Sequence, residues 1–188
     1  ALLAKEMKTN NELNNHQVVG TLMSNLGLEK FLNKLNINFH RTNVGDRYIL
    51  DKMMKSNSKL GGEPSGHILL TDYAKTGDGL LTAIKIISLL KKSGLKASEF
   101  LRPFKLVPQS LRSIKNIDKK ILNNEKIKEL VQSKQKLLGK NGRILLRPSG
   151  TENLIRIMVE SEDKQKVNEI TEAVANSILK QNEIEKNK

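Results

Sequence analysis

Two prolines, Pro103 and Pro108, bracket a short segment at which the apolar rhythm of the chain changes. Before it, strand-like runs alternate with helical patterns. Residues 1–9 read as the end of a helix, and residues 17–22 read as a buried strand. Leu28, Phe31, Leu32 and Leu35 then recur at helix spacing. Residues 37–42 alternate apolar and polar as a half-buried strand does, and Tyr48, Ile49, Met53 and Met54 mark another helix. This βαβα order predicts an α/β layer. Residues 80–92 are apolar nearly all round (Leu80, Leu81, Ala83, Ile84, Ile86, Ile87, Leu89, Leu90), which predicts a deeply buried helix. The pattern past the prolines is different. A strand-like stretch at 106–114, a Lys-rich helix over about 123–138, two strands at 143–147 and 154–159, and an amphipathic helix repeating Val167, Ile170, Val174 and Ile178 predict a smaller α+β unit. The expected domains are therefore 1–103 and 108–182, with 183–188 a frayed tail.

Length and composition agree with two small domains. The chain has 188 residues, 37% hydrophobic and 28% charged, enough apolar material for packed cores. No apolar run approaches the ~18 residues of a membrane span. The longest candidate, 80–90, is broken by Lys85, so no membrane partner is expected. The first residues lack the basic region of a signal peptide. There is no cysteine, which excludes disulfide scaffolds, zinc–cysteine sites and thiol nucleophiles and fits a cytoplasmic protein.

The net charge of +13 raises nucleic acid as a partner class. Of the 33 basic residues only seven are Arg (41, 47, 102, 112, 143, 147 and 156), and the lysines spread along the whole chain. Aromatic residues are 3% and Trp is absent, so stacking platforms for bases are lacking. The charge reads as a generally basic solvated surface, with no nucleic-acid partner expected. A basic nucleic-acid-binding module remains the rival class, testable by salt-steep affinity for arbitrary DNA or RNA.

Two loops concentrate chemistry. Arg147-Pro148-Ser149-Gly150-Thr151 lies between two apolar strands. The planar fork of Arg147 matches phosphate oxygens, Ser149 and Thr151 offer hydroxyls, and Gly150 permits a turn in which successive N–H groups converge on one anion. The same residues also suit an ordinary hairpin turn. Gly62-Glu63-Pro64-Ser65-Gly66-His67 sets three polar side chains between glycines. Glu63 can accept two hydroxyl hydrogen bonds from a sugar diol, Ser65 can donate or accept, and His67 can move a proton or sit beside an anion. A glycine-rich loop with a surface histidine is the plainer alternative. In Thr76-Gly77-Asp78-Gly79, Thr76 or Asp78 reads as the cap of the helix that follows.

These pieces, in this order, resemble the C-terminal half of the α-D-phosphohexomutases. The resemblance rests on residues 18–25, 41–48, 62–67, 76–79 and 147–152 and covers essentially the whole chain. The segments around Gly20 and Gly45 are most similar to the glucosamine branch, the bacterial phosphoglucosamine mutases; a phosphomannomutase or phosphoglucomutase fragment is the alternative within the family. Pro64 stands where that branch often has Gln, and Asn153 where Pro is usual; neither change removes a proposed contact.

The resemblance implies the third and fourth of four domains. It implies an isomerase that interconverts glucosamine 6-phosphate and glucosamine 1-phosphate through a phosphoserine and a 1,6-bisphosphate, feeding amino-sugar and cell-wall precursor synthesis. It assigns Glu63 and Ser65 to the ring hydroxyls and His67 to the reacting end, as a contact or proton-transfer group. Arg147, Ser149, Gly150 and Thr151 are assigned to the non-reacting phosphate. It implies Mg2+ as cofactor and glucosamine 1,6-bisphosphate as intermediate and activator. The family's phosphoserine loop (Ser-His-Asn-Pro type) and metal loop (Asp-Gly-Asp-Gly-Asp-Arg type) belong to its first two domains, and neither string occurs here. The expected partners are thus a phosphosugar and the N-terminal domains 1 and 2. The chain is expected to be a truncated piece, or a half that pairs with a separately encoded N-terminal half, and to lack turnover by itself.

Overall fold

The computed structural model describes residues 1–150 and 152–186. The chain divides into two compact units, the first spanning Ala1–Leu106 and the second beginning at Val107. Phe104 stacks on Phe31 with ring centroids 5.6 Å apart, which ties the segment after Pro103 to the first unit.

The first unit is built on a four-stranded sheet in the order β2-β1-β3-β4. Its strands are β1 (Gln17–Thr21), β2 (Asn38–Thr42), β3 (Leu60–Gly62) and β4 (Ile68–Leu70). β1 pairs in parallel with β2, from Gln17 opposite Asn38 to Thr21 opposite Thr42. It also pairs in parallel with β3, at Val19 opposite Gly61, while β4 returns antiparallel to β3. The helices are α1 (Leu2–Thr9), α2 (Leu26–Lys34), α3 (Asp46–Ser56), α4 (Gly79–Ser93) and the short α5 (Ala97–Phe100). Successive strand residues point to opposite faces, and the core divides accordingly. Val19 and Leu69 pack with Ile49 and Met53 of α3 on one side. Val18 and Leu70 pack with Leu3 and Met7 of α1 and Leu32 of α2 on the other. This is the α/β layer expected from the sequence, with helices on both faces. The side chain of Asn25 caps α2, accepting from Gly27 N at 2.8 Å, a contact worth about 1 kcal/mol.

Helix α4 departs from expectation. It forms where the sequence predicts, but none of its residues is buried. Leu81, Ile86 and Leu89 pack on the core, whereas Leu80, Ile84 and Ile87 are exposed. A helix apolar on every side is buried only if neighbours cover every side; α4 lies on the outside of its layer, and the sheet-facing core covers one side alone.

The second unit is a three-stranded antiparallel sheet in the order β5-β7-β6. It comprises β5 (Gln109–Lys115), β6 (Gly142–Pro148), β7 (Leu154–Ser161), α6 (Glu125–Leu138) and α7 (Lys164–Lys186). Ile155, Ile157 and Val159 of β7 pack against Val167, Ile170, Val174 and Ile178 of α7 and Ile127 of α6. Burying each such side chain contributes about 1.5–3 kcal/mol before entropy is counted. Asp163 caps α7 through Gln165 N at 3.0 Å and Lys166 N at 3.2 Å, and the Lys166 N–H is the main cause holding its carboxyl below the usual range. α7 continues through 183–186, where a frayed tail was expected. Asn124 Nδ2 donates to Glu185 Oε1 at 3.0 Å and anchors that last turn, a contact between distant residues that local composition does not reveal. No helix among the described residues is long and apolar enough to cross a membrane.

Candidate functional site

The loop at 62–67 is a tight turn between two paired strands. Glu63 N donates to the His67 carbonyl at 3.0 Å, and Gly66 N donates to the Glu63 carbonyl at 3.1 Å. Gly66 has φ +101°, a conformation that a side chain would strain, so glycine is required there. The turn projects three polar side chains of different exposure. The Glu63 side chain is 10% exposed and that of His67 is 55% exposed. Ser65 Oγ lies 3.2 Å from His67 Nδ1, and Glu63 Oε1 lies 3.7 Å from the same nitrogen. With Nδ1 facing these two partners, Nε2 is the nitrogen left for another group. The neighbouring loop packs closely on this ring. A Cβ at Gly77 would meet His67 Cδ2 at 3.2 Å, so glycine there lets the 76–79 segment lie against the histidine. Asp78 plays the capping part expected of it, accepting from Leu81 N at 2.9 Å.

Glu63, whose side chain is mostly covered, is the chemically distinctive group of this turn. Beyond the 3.7 Å approach of His67, its carboxylate accepts no hydrogen bond from the described residues. A carboxylate can accept several hydrogen bonds, and one without them is available to hydroxyl donors. The turn thus offers a carboxylate acceptor, a hydroxyl and an imidazole within a few ångströms of one another.

The loop after Arg147 joins β6 to β7. Ser149 is buried; its N–H donates to the Leu154 carbonyl at 2.9 Å, and its Oγ accepts from Glu152 N at 3.2 Å. Lys119, in a 3₁₀ turn at Lys119–Asn123, donates from Nζ to the Ser149 carbonyl at 2.7 Å. Gly150 has no positive φ, and a Cβ there would meet nothing within 4 Å among the described residues beyond its chain neighbours. Thr151, also expected to contribute a hydroxyl, lies outside the described residues.

The register of the two strands brings up a group that sequence reasoning missed. Arg147 stands directly opposite Arg156. Like charges directly opposite on paired strands destabilise a sheet. Burial first, and then the Arg156 charge, lower the affinity of the Arg147 guanidinium for its proton below the ordinary value. The Nε atoms of both arginines are buried without a hydrogen-bond partner among the described residues. Among the described residues, the ion-pair contact of Arg156 is to the Glu152 carboxylate at 3.4 Å. Further along the same pairing, Arg143 stands opposite the buried Glu160 and forms an ion pair with it. One cross-strand pair is neutralised from within the chain; the other is a pair of cations with unfilled donors. An anion with several oxygens, such as a phosphate monoester, supplies both the charge and the acceptors that are lacking. The signal for Arg156 was available in the alternation of residues 154–159, but only once the register was known.

Among the described residues, no group of three or more His, Asp or Glu could hold a metal ion. The described residues therefore do not fit a magnesium site.

The family model described as phosphoglucomutase/phosphomannomutase, alpha/beta/alpha domain III matches residues 1–106, and that of the C-terminal domain of the same family matches 112–177. A phosphoglucosamine mutase from Agrobacterium fabrum is 44% identical over 170 residues, covering 90% of this chain and 38% of that protein. Another from Staphylococcus haemolyticus is 42% identical over 178 residues, covering 94% of this chain and 40% of that protein. The chain thus spans about two fifths of the length of these relatives. Among solved structures, an N-acetylglucosamine-phosphate mutase in its substrate complex matches with a TM-score of 0.77 at 17% identity, over 94% of this chain and 42% of that one. An Aspergillus fumigatus N-acetylphosphoglucosamine mutase in complex with GlcNAc-6P and magnesium matches with a TM-score of 0.75 at 17% identity, over 94% of this chain and 44% of that one. At that identity the structural likeness speaks for the fold. With two matching domain models, the first spanning more than half of its length, the chain belongs to the phosphoglucomutase/phosphomannomutase family.

Proposed function

We propose that this chain is the sugar- and phosphate-binding part of a phosphoglucosamine mutase, an isomerase that interconverts glucosamine 6-phosphate and glucosamine 1-phosphate. The observation that carries the phosphate part is the opposed, unsatisfied pair Arg147 and Arg156 beside the buried Ser149. Identity of 40–44% to relatives named phosphoglucosamine mutase supports the glucosamine specificity.

The reaction moves a phosphoryl group between the two ends of one sugar. In the proposed scheme a phosphoserine donates to the free hydroxyl, the 1,6-bisphosphate turns over, and the other phosphate returns to the serine. The sugar must therefore be held in two orientations, with a different one of its two phosphates in the phosphate loop in each. Arg147, Ser149, Gly150 and Thr151, with Arg156 added here, grip the phosphate that is not reacting. Glu63 and Ser65 take the ring hydroxyls, which both orientations present in similar places. His67 serves the reacting end, its Nε2 contacting the transferring group or moving a proton. The phosphoserine and the magnesium ligands belong to domains 1 and 2 of the enzyme, which is cytoplasmic in this reading.

Calorimetric titration of glucosamine 6-phosphate into the chain tests the binding role, with glucose 6-phosphate and mannose 6-phosphate as competitors for specificity. Binding of glucosamine 6-phosphate is expected, with no interconversion by the chain alone. Equal binding of all three sugars moves the assignment to the phosphoglucomutase or phosphomannomutase branch. Turnover by this chain alone contradicts the division of roles.

A further inference from the structure

A cavity lies at the end of the first sheet opposite the 62–67 turn. It opens between α1 and α4, beside Lys59 just before β3 and Asp72 and Tyr73 just after β4, and has a volume of about 410 Å3. The turn joins the other ends of those two strands, and the three residues of β3 set the two places about 10 Å apart. Leu3, Met7, Leu70 and Leu89 give the cavity an apolar lining. Its charges divide by element. Glu6 and Glu12 stand on the α1 side, joined by the Asn10 amide, whose Nδ2 lies 3.4 Å from one carboxylate and 3.5 Å from the other. Lys85, Ser88 and Lys92 stand on the α4 side at i, i+3 and i+7, which is one face of the helix. Lys85 Nζ donates to the Tyr73 hydroxyl and lies 4.1 Å from the centre of that ring. Lys59 is paired with Asp72 at 2.8 Å. Among the described residues, Glu6, Glu12 and Lys92 form no ion pair.

We propose that this cavity binds a small zwitterion without net charge, an ammonium and a carboxylate joined by a short apolar chain. Carboxylates and ammoniums line one space without meeting, so a ligand that carries both groups completes both walls at once. Glu6 and Glu12 share a single neutral donor, and two like charges held together gain from a cation between them. On the other wall Lys85, Lys92 and the Ser88 hydroxyl supply donors for one carboxylate. The balance of the lining selects against a net charge on the ligand. Three carboxylates (Glu6, Glu12, Asp72) face three ammoniums (Lys59, Lys85, Lys92), so an ion of either sign is repelled at one wall as it is attracted at the other. A phosphate ester is nearly doubly charged at neutral pH and leaves an amino-phosphate net negative, which separates this cavity from the paired arginines. The apolar lining suits a methylene chain or small methyl groups between the two charged ends. The volume falls within the ~300–1,000 Å3 of small-molecule sites. Free ω-amino acids and dipeptides share this chemistry. The inference does not depend on the reaction proposed above.

Calorimetric titration of the full 188-residue chain with 6-aminohexanoate and with alanylalanine tests this. Saturable binding of at least one of them at a single site is expected, and the tighter of the two names the source, free ω-amino acid or dipeptide. Hexanoate and hexylamine, which each lack one charge, are expected to bind about tenfold more weakly or worse. Glu6→Gln/Glu12→Gln and Lys92→Gln are each expected to weaken the zwitterion about tenfold and to keep the wild-type melting profile, because the charges removed have no ion pair to lose. Arg147→Ala is expected to leave its affinity unchanged. Absence of binding by both zwitterions overturns the proposal. So does hexylamine or hexanoate binding as tightly as the zwitterion, since the cavity then takes a simple ion, and so does unchanged affinity in either cavity variant. Displacement of the zwitterion by glucosamine 6-phosphate also overturns it, because the ligand then lies at the arginine pair. The mutase reading fails separately, through absence of phosphosugar binding, whatever these titrations show.

Discussion

The two loops are both turns between antiparallel strands, yet they meet their polar groups in opposite ways. In the turn at 62–67 the polar side chains partner one another, with Ser65 and Glu63 both near His67 Nδ1. In the turn after Arg147 the backbone and Ser149 are held firmly, by Leu154, Glu152 and Lys119, while two arginines face each other with unfilled donors. The first turn is suited to neutral hydroxyl groups that exchange places easily. The second is suited to one anion at a time. In the proposed reaction, which turns its substrate over, this asymmetry lets the second turn grip whichever phosphate is not reacting.

Removing Arg147 should break the comparison most severely. Arg147→Ala is expected to weaken glucosamine 6-phosphate binding by roughly ten- to a hundredfold, from the loss of charge-assisted hydrogen bonds worth about 1.5–3 kcal/mol. Calorimetry should show Lys140→Ala, on the exposed surface, to be unaffected. Equal losses in the two variants would mean that diffuse charge alone attracts the ligand.

Arg156→Met should separate stability from binding. Relief of the like-charged pair is expected to raise stability in urea unfolding by up to about 1 kcal/mol, while phosphosugar binding falls about tenfold. A variant that loses both would make Arg156 a structural residue. Glu63→Gln sharpens the contrast from the other side. It should weaken glucosamine 6-phosphate binding about three- to tenfold and leave inorganic phosphate binding unchanged, as read by competitive titration. The smallest effect is expected at Lys119→Met, where loss of the brace on the Ser149 carbonyl should cost a few-fold in phosphate affinity with little change in the melt.

Much of this architecture was legible in the sequence because the signals are local. Glycine and proline mark both turns, the strands read by alternation, and Asn25 and Asp78 cap their helices as short polar side chains do. What was missed needs information that a linear pattern does not carry. Arg156 enters the site only through strand register, and Lys119 only through a contact across 30 residues of chain. The apolar helix at 80–92 was read as deeply buried because periodicity reports that a face wants cover, not which polypeptide supplies it. The last turn of α7 is polar and gives no local sign of its anchor at Asn124.

Phosphorus-31 NMR of glucosamine 6-phosphate titrated with the chain addresses the opposed arginines most directly. The account predicts a shifted and broadened phosphate resonance with the wild-type protein, and a return to the free-ligand position with Arg147→Ala/Arg156→Met. A double variant that perturbs the resonance as strongly as the wild type would contradict it.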